Sequence, residues 1–161
     1  MRRLEVLTAI LLAPFAAGCG ASSPASPSPV PISELSSAPT QISAGGATLK
    51  LDASLWRDFM PISPPDGKPL SVVARMTTTD GSRVPESLRV EKLFVVHGGE
   101  AWETHVEERP RNQTAPAYEL TARNGPKWGP GVKVDVIVRV VDSDGRTSLL
   151  RVPDREIAAT H

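Results

Sequence analysis

The chain has 161 residues, with 18 basic and 18 acidic side chains and no formal net charge. Neutrality argues against strong nucleic-acid binding, which needs a basic face, and a single cysteine excludes an intrachain disulfide. Aromatic residues are 4% of the sequence, which weighs against a sugar-binding platform.

Arg2 and Arg3 open the chain. An apolar stretch from Leu4 to Phe15 follows, broken by Glu5, Thr8 and Pro14, and the small residues Ala16-Ala17-Gly18 lead to Cys19. Crossing a bilayer takes about 20 apolar residues. This stretch is shorter, so a removable targeting segment over 1–18 is expected. Residues 1–19 resemble the lipobox-type signal of bacterial lipoproteins, with Ala16 where a leucine is usual. The resemblance implies cleavage before Cys19, acylation of Cys19 and a membrane partner through that lipid. Gly20 stands where some Gram-negative lipoproteins carry a retention aspartate. The resemblance therefore points to the outer rather than the inner membrane.

Residues 19–44 read as a lipidated cysteine and a tether. Ser22-Ser23-Pro24-Ala25-Ser26-Pro27-Ser28-Pro29-Val30-Pro31 is a serine/proline run. Such a stretch has too little apolar surface to offset its chain entropy, and proline biases it toward extended polyproline II. Without Arg2, Arg3 and Glu5, the remaining chain keeps 16 basic and 17 acidic residues.

Residues 45–161 are long enough for one domain with one core. Their apolar periodicity is two, the mark of strands. Leu49, Leu51, Ala53 and Leu55 alternate with Thr48, Lys50, Asp52 and Ser54. The proline-rich segment from Pro61 to Pro69 cannot be a central strand or helix. Leu70, Val72, Ala74 and Met76 form the next alternation, closed by Thr79-Asp80-Gly81-Ser82. Leu88 and Val90 fall on one face but Leu93 and Val95 on the other, so a bulge is expected near Glu91-Lys92. Gly98-Gly99 turns the chain into a strand from Ala101 to Glu107, and another spans Ala117 to Arg123. The clearest strand is Val132 to Val141, whose even-numbered positions are all valine. Asp142-Ser143-Asp144-Gly145 turns it into a partner strand, Arg146 to Val152.

These patterns predict an all-β fold, a single antiparallel sandwich of about seven strands with no helix. Val138 to Ser148 resembles the last hairpin of bacterial immunoglobulin-like and PKD-like domains. The resemblance implies an Ig-like β-sandwich. A transthyretin-like sandwich, as in the lipoprotein of type VI secretion systems, remains open beside it.

Three places are candidates for chemistry. Asn124-Gly125-Pro126-Lys127-Trp128-Gly129-Pro130-Gly131 sets one tryptophan and one lysine in an irregular loop. Trp128 and Lys127 could bind a partner or glycan there, since tryptophan is favoured at interaction hot spots. The competing and preferred reading folds Trp128 back as a plug for the end of the sandwich. Trp56 and Trp102 read as core or rim residues. Glu103, His105 and Glu107 project from one strand face, and with His97 they could hold a metal. Strand neighbours on one face lie about 7 Å apart and converge poorly on an ion, which favours a solvated polar face and no metal. Asp142-x-Asp144-Gly145 suggests calcium, but the twelfth position of an EF-hand loop would be Pro153, so a hairpin turn is expected.

No Gly-x-Ser-x-Gly, His-Glu-x-x-His, P-loop or Gly-x-Gly-x-x-Gly occurs. The expectation is a non-enzymatic envelope lipoprotein without cofactors, presenting a sandwich to an envelope protein partner. The alternatives are a glycan or small-ligand module using the Trp128 loop and, less favoured, a periplasmic metal-binding protein.

Overall fold

The computed structural model describes the backbone of residues 30–108 and 116–161. The expected signal segment, Cys19 and the tether up to residue 29 lie outside the described residues, as does the Glu107 side chain.

The described chain opens with helix α1 (Ile32–Ser37). Nine strands follow: β1 (Gln41–Ala44), β2 (Ala47–Asp58), β3 (Leu70–Thr78), β4 (Arg89–His97), β5 (Glu100–His105), β6 (Glu107–Glu108), β7 (Tyr118–Gly125), β8 (Lys133–Val141) and β9 (Thr147–Thr160). The fold is mostly β, as the periodicity implied. Eight strands form one path, β5-β4-β8-β9-β2-β3-β7-β6, with β1 paired to β2 off it. The path curls until it is nearly a barrel.

The alternations bury the expected faces. Leu49, Leu51, Ala53 and Leu55 of β2, and Leu70, Val72, Ala74 and Met76 of β3, meet Leu93, Val95, Val134, Val136, Val138 and Val140 in one core. The bulge in β4 is present. Its register with β8 shifts between Val90 and Lys92. The extra residue brings Val90 into phase with Leu93 and Val95, and all three join the core. At the foot of β8 the Asp142 carboxylate accepts the Asp144 and Arg146 amides at 2.9 Å each, which makes the segment a hairpin turn.

Two expectations need correction. First, the sheet is mixed rather than purely antiparallel. β9 runs antiparallel to β8 from Thr147 to Glu156, and then Ile157–Thr160 pairs parallel with Leu55–Asp58 of β2. A register shift with β8 between Val134 and Val136 marks the crossing, opposite Pro153 and Asp154. Proline has no amide to give a ladder, and Asp154 takes φ 56°, so the strand bends there and changes partner.

Second, the chain is ordered before residue 45, where only tether was expected. Ala44 pairs with Ala47 across Gly45-Gly46, whose φ values of 57° and 80° suit a two-residue hairpin that residues with side chains resist. Upstream, α1 lies on the outer face of β4 and β8. Leu35 is fully buried and packs with Ala38 against Phe94, Val96 and Ile137. Six residues do not hold a helix in water unaided, so this packing stabilises it. Arg151 secures its end. The Arg151 Nε donates to the Ala38 carbonyl at 3.0 Å, its amide to the Pro39 carbonyl at 2.9 Å, and its Nη1 to Asp135 at 2.9 Å.

Candidate functional site

The Trp128 loop joins β7 to β8 at one end of the fold. Asn124 at φ 63° takes the chain out of β7, and the Gly129–Pro130 peptide is cis. At Gly125 a side chain is excluded, because a Cβ there would lie 2.7 Å from the Trp102 ring. Trp102, on β5, thus packs directly on the β7 backbone and against the core, the rim position expected for it.

Trp128 is half-buried and packs against the same core. Its indole N–H donates to Glu100 Oε2 at 3.1 Å. The His97 ring lies tilted beside it, with centroids 5.5 Å apart, and His97 Nδ1 is 3.3 Å from the Lys133 carbonyl oxygen. The tryptophan's one donor and part of its ring are therefore engaged within the chain. This arrangement fits a plug better than an outward-facing anchor. Lys127 points the other way and pairs with Asp66 at 2.5 Å. That hydrogen bond, with desolvation opposing it and the charges of Lys127 and Arg57 assisting, holds the Asp66 carboxyl below its ordinary value.

Beneath the loop sits Arg57, only 4% exposed. Its Nε donates to the Lys68 carbonyl at 3.0 Å, and its Nη1 to the carbonyls of Lys127 at 3.1 Å and Gly129 at 2.7 Å. Nη2 donates to the Asp66 carbonyl. The guanidinium also lies 5.1 Å from the centre of the Phe59 ring. One buried cation thus ties the proline-rich 61–69 loop to the Trp128 loop. Sequence reasoning did not single it out, although a signal was present. Arg57 continues the inward phase of Leu51, Ala53 and Leu55, where a solvated charge does not belong.

No family model, curated protein or solved structure matches the chain. Its chemistry must be judged on its own geometry.

The metal candidates do not converge. His97 faces Glu100 across the β4–β5 hairpin, whereas His105 faces Lys92. Five strand residues separate those pairs, about 17 Å at 3.4 Å per residue. Glu103 is committed to an ion pair with Lys92. Among the described residues no group of three or more His, Cys, Asp or Glu side chains could hold a metal ion.

Proposed function

We propose that the chain is a lipid-anchored bacterial envelope protein, without enzymatic activity, that presents a single immunoglobulin-like β-sandwich for structural or protein-interaction roles. The observation that carries the proposal is the N-terminal order of residue types: Arg2-Arg3, the apolar stretch to Phe15, three small residues, Cys19, and then the serine/proline run ahead of the first described element. On this reading Cys19 is the lipidated N-terminus of the working protein, and the outer membrane is its destination.

The strand order supports the sandwich half of the proposal. β2-β3-β7-β6 follows the A-B-E-D order of one immunoglobulin sheet, and β9-β8-β4-β5 follows G-F-C with an added C′. The first strand of one set meets the end of the last strand of the other in parallel, at Leu55–Asp58 and Ile157–Thr160. The inner faces of both sets share one core, as two packed layers require.

The test is processing in a bacterial host. Globomycin, or Cys19→Ala, should leave a slower-migrating precursor and abolish incorporation of labelled palmitate. Unchanged processing and membrane retention after Cys19→Ala would sink the proposal.

A further inference from the structure

We propose that the groove between α1 and the β8–β9 hairpin binds a small amphipathic carboxylate, with Arg139 as the residue that holds its charge. The groove has a volume of about 400 Å³, within the size range of small-ligand sites. Val30, Ala38 and Leu149 supply apolar wall, and Thr147 and Ser148 supply hydroxyls. Ser37 also lines the groove, but its hydroxyl already donates to the Glu34 carbonyl at 3.1 Å.

Arg139 is the unbalanced element. It lies on the outer face of β8, half-buried, with its guanidinium 5.6 Å from the centre of the Phe94 ring. Directly across the strand pair is Lys92. Like charges facing each other across a sheet are destabilising. Lys92 is neutralised by Glu103, while Arg139 has no ion pair or hydrogen bond among the described residues. Three other sheet arginines are paired: Arg75 with Glu119, Arg151 with Asp135 and Arg155 with Asp52. A planar guanidinium fixed over an aromatic ring at the edge of a groove is suited to a carboxylate, which it grips through two parallel hydrogen bonds.

The acid in the groove selects the ligand's charge. Glu34 of α1 lines the same space as Arg139. Desolvating a second negative charge beside Glu34, with no second cation among the described residues lining the groove, is costly, so a monoanionic carboxylate is favoured over a dianionic phosphate monoester. The ligand's apolar body would lie against Val30, Ala38 and Leu149.

The experiment is a calorimetric titration of the full chain, held in lipid nanodiscs, with hexanoate as probe and empty discs as blank. Saturable binding is expected, weakened at least tenfold by Arg139→Gln. Hexyl phosphate should bind less tightly than hexanoate, and Glu34→Gln should narrow that difference. Arg139→Lys keeps the charge and loses the fork, so it should weaken binding by a smaller factor. It also serves if the glutamine variant fails to fold. No saturable binding, full affinity in a folded Arg139→Gln protein, or tighter binding of hexyl phosphate would overturn the proposal.

Discussion

Arg57 shows how one buried charge is made tolerable with backbone carbonyls, rather than a carboxylate, as its hydrogen-bond acceptors. Four backbone carbonyls from two loops take its N–H groups, and the Phe59 ring faces its π surface. Charge-assisted bonds of this kind are stronger than neutral ones. Removing the guanidinium leaves the carbonyls of Asp66, Lys68, Lys127 and Gly129 without it, and each unsatisfied group costs about 1–3 kcal/mol if water cannot reach it. Arg57→Leu should therefore lower unfolding stability by about 3 kcal/mol or more, measured by urea denaturation. A loss within about 0.5 kcal/mol, the range of ordinary surface substitutions, would show that water replaces the side chain. The residue was legible only as an anomaly of phase. The alternation placed an arginine inward, but its partners at Lys127 and Gly129 are about 70 residues further along the chain.

At the scale of elements, α1 and β9 depart furthest from a simple alternation. Phe94, Val96 and Ile137 point away from the core, and an outer face so apolar needs cover. The helix supplies it through Leu35, buried to 0% exposure. Leu35→Ala should cost about 2–5 kcal/mol if the site cannot collapse. It should also open residues 30–39 to protease while the β core stays protected. Limited proteolysis with mass spectrometry checks this, and an unchanged cleavage pattern would mean that Arg151 alone retains the strap. The serine/proline composition gave no hint of this helix, because six residues with one buried leucine carry too little periodicity to stand out. The outward apolar positions of β4 and β8 were the visible clue that something lies over them.

For the molecule as a whole, hydrogen-bonded carboxylates pin loops at the ends of strands. Asp58 is held below its ordinary value of 3.8 chiefly by the hydrogen bond from Lys68, Asp66 by that from Lys127, and Asp80 by that from the Ser82 hydroxyl. Each folded-state value lies below the unfolded one, so the unfolded chain binds protons first as pH falls. The stabilisation is present above about pH 4 and is lost as pH falls through the lowered folded values. The urea midpoint should stay nearly level from pH 7 to 5 and fall below 4. The triple change Asp58→Asn, Asp66→Asn, Asp80→Asn should flatten the acid limb, and an identical acid limb in that variant would refute the assignment.

The sequence by itself determined β2, β3, β4, β5, β7, β8 and the first half of β9, the hairpin at Asp142–Gly145 and the bulge in β4. Period-two burial and turn chemistry are local properties, carried by residues a few positions apart. Tertiary structure alone decided that β9 leaves β8 to run parallel to β2, that α1 covers the outer face, and that Arg57 joins two loops. The same separation in sequence parts Arg139 from the α1 side of its groove, about 100 residues upstream. Each of these joins residues distant in the chain, whose meeting depends on how the strands are ordered in space rather than on any pattern along them.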